Sequence, residues 1–322
     1  MLAWVAGGQA QVGWGIADER LGDSIELVAE LAAGRHGPGP WFGAVSFSGR
    51  AARFVRPEKL ETVEWGQAAA ARLPPAPRTM SEHWRGLVET ATQRIAAGEL
   101  EKVVVARVHE QPAPKSAWEA FRSLPPAARS YFLRFDGAFF GATPETLLRW
   151  SDGVVEIDAL AGSAAPGGTF GEKERREHAH VVRDVERALE GYAIERPAQP
   201  LVMELPYVRH LHTPVRARAA DFAPVLRRLF PTSAVAGAPR EKALEFISRH
   251  EGVERDWYAG AVGRVSPGEV DLAVALRCCF VHSRIAHVFA GAGIVAGSDA
   301  QAEWEETERK MTPVLSALRG AT

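Results

Sequence analysis

Residues 131–160, YFLRFDGAFFGATPETLLRWSDGVVEIDAL, decide the fold class. They contain four short apolar runs, at 131–135, 138–142, 146–150 and 154–160, the last two parted by the turn Ser151-Asp152-Gly153. Runs this short, rich in aromatic and β-branched residues and separated by turn formers, predict strands joined as an antiparallel meander.

Upstream, Ser81 is placed to cap a helix and Gly98 to end it, with Trp84, Leu87, Val88, Ala91 and Ile95 on one 3.6-period face. The β-branched run Val103-Val104-Val105 follows between Lys102 and Arg107, so Lys102 opens a largely buried strand. Downstream, helical patterns cover about 170–194, 220–229 and 240–250, then strands at 258–265, 270–281 and 285–289, then a helix at 300–318. Strand groups alternating with helix blocks predict an α+β fold, a single domain of large mixed or antiparallel sheets layered with helices. Residues 1–80 read as a strand-rich extension of that domain. Their pieces, such as 41–48, alternate too weakly to fill a core alone, and the Pro-rich stretch 71–80 suits a connector.

The chain has 322 residues, 46% hydrophobic and 24% charged, which favours a globular protein over a disordered one. Its formal net charge of −2 gives no broad attraction to nucleic acid or to an anionic membrane. No stretch has the roughly 18 uncharged apolar residues of a membrane span, and the start MLAWVAGGQA lacks a basic segment before an apolar one. A soluble, cytoplasmic protein is expected. Cys278 and Cys279 are neighbours in an apolar run, which fits buried reduced thiols rather than a disulfide framework or a zinc site.

Several residues could carry chemistry. Glu174 with Glu177, and Glu303 with Glu306, are spaced i, i+3, so each pair shares a helix face and could hold a hard cation; charged helices of this kind also occur as plain solvated faces. Lys102 could serve as a general base, since an ammonium bordering apolar surroundings gives up its proton more readily, or it could snorkel to water. Arg277, interrupting DLAVALRCCFV, needs either a structural carboxylate or a bound anion. Gly291-Ala292-Gly293 would let backbone N–H groups approach a carboxylate. GAGIVAG lacks the dinucleotide-binding spacing, and Walker A, H-E-x-x-H and G-x-S-x-G motifs are absent from the sequence.

In order along the chain, EKVVVAR at Glu101, ATPETLLRW at Ala142, ALAGS at Ala159, EKERREH at Glu172, FPTSAVAGAPREKA at Phe230, RDWYAGAVG at Arg255, VALRC at Val274 and GAGIVAGSDAQAEWEETERK at Gly291 resemble the chorismate-utilising enzymes. The resemblance runs from about Glu101 to the C-terminus, and makes 81–322 the chorismate-binding catalytic region. It implies a Mg²⁺ requirement and a buried site between sheet layers.

Within that family, isochorismate and salicylate synthases carry lysine where Lys102 stands, and ammonia-using members typically carry glutamine. Ala161 occupies the place of the nucleophilic lysine expected in aminodeoxychorismate synthases. PTSAVAGAP and WYAG look more like isochorismate synthases than salicylate synthases. Departures from the isochorismate pattern are Phe230, often His, Ser233, often Pro, and Thr143 and Ser163, where Ser and Thr are commoner.

The resemblance therefore implies an isochorismate synthase, an isomerase that works without a glutaminase subunit. Lys102 would be the base and Glu145 the acid. Glu177 and Glu306 would hold Mg²⁺, with Glu174 and Glu303 in contact directly or through water. Gly162, Ser163, Ala234, Tyr258, Arg277, Gly293 and Lys310 would bind chorismate. The product would enter menaquinone, siderophore or salicylate routes. Alternatives are a salicylate synthase, an anthranilate synthase large subunit, or a noncatalytic chorismate-binding protein.

Overall fold

The computed structural model describes residues 1–66, 78–205 and 208–321. Two large sheets, all of whose strand pairs are antiparallel, face each other. The first has nine strands, in the order Gly237–Ala238, Lys102–Pro112, Ile285–Ile294, Cys278–His282, Ala138–Thr143, Arg129–Arg134, Leu2–Ala6, Gln9–Trp14 and Lys59–Glu64. The second has ten, in the order Ile194–Glu195, Arg209–Arg218, Val154–Ala164, Thr146–Ser151, Glu269–Val274, Ala261–Ser266, Trp41–Val45, Ala52–Arg56 and Asp18–Gly22, with Leu201–Glu204 also on Arg209–Arg218. The N-terminal strands thus contribute to both sheets. Of the expected connector 71–80, residues 71–77 lie outside the described residues; Arg78, which is described, pairs with Glu308 at 2.9 Å.

The two-residue period sorts side chains between layers. Tyr131, Leu133 and Phe139 point into the core between the sheets, while Phe132 and Phe140 face outward onto a second cluster. That outer cluster is completed by Phe121 from the helix Ala117–Arg122 and by Met311, Val314 and Leu315 from the helix Ala300–Gly320. Trp4 Nε1 donates to Asp271 Oδ2 at 3.3 Å, tying the first sheet to the second. Among the described residues no helix is long and apolar enough to cross a membrane.

Local signals in the sequence hold closely. The helix Glu82–Ala96 starts at Ser81, whose Oγ accepts from Trp84 N, and ends before Gly98 at φ +73°. The turn at Asp152 (φ 51°) and Gly153 (φ 70°) joins Thr146–Ser151 to Val154–Ala164 as a hairpin. The helix at 170–194 is shorter than expected, Glu172–Ala188, and Ile194–Glu195 is a short strand; the helix at 220–229 begins only at Ala223.

Three expectations fail. The meander is broken between Thr143 and Thr146, because Ala138–Thr143 belongs to the first sheet and Thr146–Ser151 to the second. The expected strand 270–281 is two strands, Glu269–Val274 and Cys278–His282, again in different sheets, parted at Arg277 with φ 48°. The strand expected at 285–289 runs on to Ile294 and takes in Gly291–Gly293.

The first two failures share a cause. Ala138–Thr143 pairs with Cys278–His282, and Thr146–Ser151 pairs with Glu269–Val274, so one two-stranded ribbon leaves one sheet and enters the other. At the bend, Val274 N donates to Glu145 O at 3.1 Å and Ala142 N donates to Arg277 O at 3.3 Å. Such bends form the corners of sheet sandwiches.

Candidate active site

A cavity opens at this bend, with walls from both sheets. Val104, Gly291 and Gly293 come from the first, Ala161, Ser163 and His210 from the second, Glu145 and Arg277 from the bend, and Glu177 and Lys310 from two helices. Of the residues expected to act on or bind a substrate, Glu145, Ser163, Ala234, Tyr258, Arg277, Gly293 and Lys310 line it. Gly162 does not. It sits at φ +74°, and a Cβ there would come within 2.5 Å of Glu174 O, so it brings its strand close to the helix Glu172–Ala188.

Lys102 is fully buried. Its Nζ lies 3.2 Å from Glu177 Oε1 but makes no hydrogen bond of good geometry, so proximity rather than a formed bond describes this pair. Lys102 lies behind the cavity wall at Gly293, where a Cβ would stand 3.0 Å from Lys102 Cε and 2.1 Å from Glu177 Oε1. Glycine is needed at that position for space.

The register leaves the Gly293 N–H free of its neighbour. Val104 sits opposite Gly293, yet Val104 N donates to Ala236 O at 2.9 Å, on the other side of its strand. Gly293 therefore belongs to a non-hydrogen-bonded pair and points its N–H away from Lys102–Pro112. Gly291 has the same phase, and its carbonyl accepts from Lys310 Nζ at 2.9 Å.

Glu145 is 3% exposed, and burial, reinforced by the Asp158 carboxylate, pushes its pKa up to about 8 against the pull of Lys102, Lys310 and Arg277. The acid form therefore prevails at neutral pH. Asp158 behaves oppositely: burial opposes its charge, but His212 Nε2 at 2.7 Å and Thr146 N at 3.2 Å hold its pKa below the usual value.

His210 escaped the sequence reading. It is buried on Arg209–Arg218, and its pKa falls well below the usual value through burial and the nearby Arg277 and Lys310 cations. A neutral ring can accept from Arg277 Nη2 at Nε2 (2.9 Å), which leaves Nδ1 protonated to donate to Ser163 Oγ at 3.2 Å. Ser163 in turn stabilises the charged form of Glu306. The only available signal was a histidine at an inward-facing position of an alternating strand, and nothing in RHLHTP marks it apart from His212.

Three of the four glutamates, Glu177, Glu303 and Glu306, share Lys173 as a neighbour. Lys173 Nζ bonds Glu303 Oε1 at 2.5 Å, and its pKa is raised by Glu303, Glu306 and Glu177 against the effect of burial. Buried Glu303 is pushed up to about 7, by desolvation first and by Glu306 second. For Glu306 burial acts upward, but Lys310 Nζ at 2.5 Å prevails and its pKa is lowered. Glu174 is committed elsewhere, its Oε2 accepting from Gly171 N at 2.8 Å at the start of its helix. No group of three or more His, Cys, Asp or Glu forms a ready metal cage among the described residues. The oxygen donors and the mutual repulsion of Glu303 and Glu306 nevertheless suit a hard cation that needs only one or two protein carboxylates.

Comparison with known proteins bears on this arrangement. Residues 58–319 match the family model described as chorismate binding enzyme. Isochorismate synthase MenF of Escherichia coli is 36% identical over 258 residues, 73% of this chain and 60% of that protein. The salicylate biosynthesis isochorismate synthase of Pseudomonas aeruginosa is 36% identical over 73% of this chain and 54% of its own length. The matched part of the chain thus spans little more than half the length of these relatives. The crystal structure of a putative 2,3-dihydroxybenzoate-specific isochorismate synthase, DhbC, from Bacillus anthracis superposes with a TM-score of 0.85 over 100% of this chain and 96% of that one, at 24% identity. With its two sheets, its bent ribbon and a cavity lined by Glu145, Glu177, Arg277 and Lys310, the chain belongs to the chorismate binding enzyme family.

Proposed function

We propose that the protein is an isochorismate synthase, converting chorismate to isochorismate by adding water at C2 of the ring and expelling the C4 hydroxyl. The observation that carries this reading is a protonated Glu145 on the cavity wall within electrostatic reach of the fully buried Lys102, which stands behind Gly293 and Glu177 of the same wall. Lys102 takes a proton from the attacking water while its oxygen bonds to C2. The ring double bonds shift, and the C4–O bond breaks as Glu145 gives its proton to the departing hydroxyl, which leaves as water. Exchange with solvent returns the proton from Lys102 to Glu145, so the reaction is a net isomerisation without redox change. General acid–base assistance of this kind is typically worth about 10²- to 10⁴-fold.

The substrate's two carboxylates must be held without collapsing onto the glutamates. Arg277 offers a forked pair of donors, kept in place by His210, and the Gly293 N–H adds a backbone donor. Tyr258, stacked on Phe289 with centroids 5.1 Å apart, closes the cavity wall. Glu177 and Glu306 would hold Mg²⁺, with Glu303 beside them and Glu174 at the margin. When bound, the cation would neutralise these anions and offer a site for a ring carboxylate.

The test is to incubate purified protein with chorismate and Mg²⁺ and to resolve the products by chromatography. Isochorismate alone is expected. Salicylate with pyruvate would reassign the protein as a salicylate synthase, anthranilate formed with ammonium salts would overturn the role of Lys102, and calorimetric binding without turnover would make it a noncatalytic chorismate-binding protein. In this reading no glutaminase subunit is required.

A further inference from the structure

We propose that Glu251 and Arg255 are positioning residues for Lys102: a buried ion pair that stands in for a missing strand beside Lys102–Pro112 and fixes the separation between that strand and the cavity loop at Val235. The inference rests on the function proposed above for Lys102.

The strand Lys102–Pro112 has a full neighbour on one side only. Ile285–Ile294 pairs with it from Val103 to Pro112. On the other side Gly237–Ala238 pairs with Lys102 and Val103, and Val104 N still finds Ala236 O, but the ladder then stops. The next outward-facing backbone groups, Val104 C=O and Ala106 N–H, would be orphaned in a buried setting, which is costly.

The ion pair takes both. Arg255 Nη2 donates to Val104 O at 2.8 Å, and Ala106 N donates to Glu251 Oε2 at 2.7 Å. Arg255 Nε reaches Glu251 Oε1 at 2.7 Å, and Nη1 donates to Val235 O at 2.8 Å. One guanidinium plane therefore holds the carbonyls of two cavity-lining residues, Val104 and Val235. Its face lies 4.3 Å from the Phe47 ring centroid. Glu251 and Arg255 side chains are 0% and 3% exposed.

A buried ion pair is a poor choice for stability alone, since apolar side chains of like volume often serve as well. Here its geometry does what an apolar pair cannot: it sets a distance. Lys102 has no well-formed side-chain hydrogen bond of its own, so the amine goes where its backbone and packing put it. A lysine at 255 keeps the charge but cannot span two carbonyls and a carboxylate in one plane.

The test compares wild type with Arg255→Lys and Glu251→Gln, each normalised to folded protein by circular dichroism and thermal melting. A fall in kcat of at least tenfold with KM for chorismate within twofold is expected for Arg255→Lys. A lower melting temperature with unchanged kcat in either variant would overturn the proposal, because a purely structural pair would do only that. Two readouts need no turnover and so separate this inference from the assignment of the reaction. In wild-type protein the Ala106 amide should exchange with solvent as slowly as the amides of Val103 and Val105, and rapid exchange would refute the clamp even if both variants misfold. In a crystal structure of Arg255→Lys, Lys102 Nζ should move relative to Gly293, and an unmoved amine would also refute it. If wild type turns over no chorismate but both structural readouts hold, the assigned reaction fails and the clamp stands.

Discussion

The bend and the sheet edge hold their reactive groups by opposite means. At the bend, Glu145 and Arg277 sit on irregular backbone where a ribbon passes between sheets, braced by Val274 N–H to Glu145 O and Ala142 N–H to Arg277 O. At the edge, Lys102 starts a regular strand whose missing neighbour is supplied by side chains. The difference teaches that an acid or a guanidinium can be aimed by a local break in the ladder, whereas an amine on a long stem needs its whole strand located.

The sharpest way to break this comparison is at the edge. Lys102→Ala should lower kcat by about 10³-fold, within the span of general acid–base catalysis, while calorimetry still shows chorismate binding; rates like wild type would remove the proposed base. At the bend, Glu145→Gln should lower kcat by about 10²-fold, and the wild-type rate should fall as pH rises through about 8 as Glu145 loses its proton.

The same substitution should move stability the other way. Glu145 titrates higher folded than unfolded, so the stability it contributes is complete below the ordinary value of 4.5 and is lost as pH climbs through about 8. Melting curves should therefore show Glu145→Gln gaining on wild type from about pH 4.5 upward and levelling off above 8. A constant offset at every pH would mean Glu145 ionises normally.

A smaller effect is expected one step behind the bend. His210→Ala frees the Arg277 guanidinium, and steady-state kinetics should show KM for chorismate rising about tenfold, about 1.4 kcal/mol of orientation, with kcat changed less. The smallest lies away from both regions: Ser81→Ala removes the cap on Glu82–Ala96 and should cost about 1 kcal/mol in denaturant melts with no change in KM.

What could be read from residues alone follows the range of the interaction concerned. The caps at Ser81 and Gly98 and the hairpin at Asp152-Gly153 depend on neighbours a few positions away, and they hold. Membership of a sheet does not. A period of two says which side a residue faces but not which sheet its strand joins, so the breaks after Thr143 and before Cys278 were invisible. His210 was missed for the same reason, since its partners Arg277 and Ser163 lie far along the chain. That Lys102 opens a buried strand was legible from the valine run beside it; that Glu251 and Arg255 finish this strand was not.

The pairing of Lys102–Pro112 with Ile285–Ile294 has a consequence for synthesis. The amine emerges from the ribosome well before its partner strand and the helix Ala300–Gly320. A nascent chain stalled before residue 285 would expose a valine-rich edge, and the proposed site could form only after that partner strand is made.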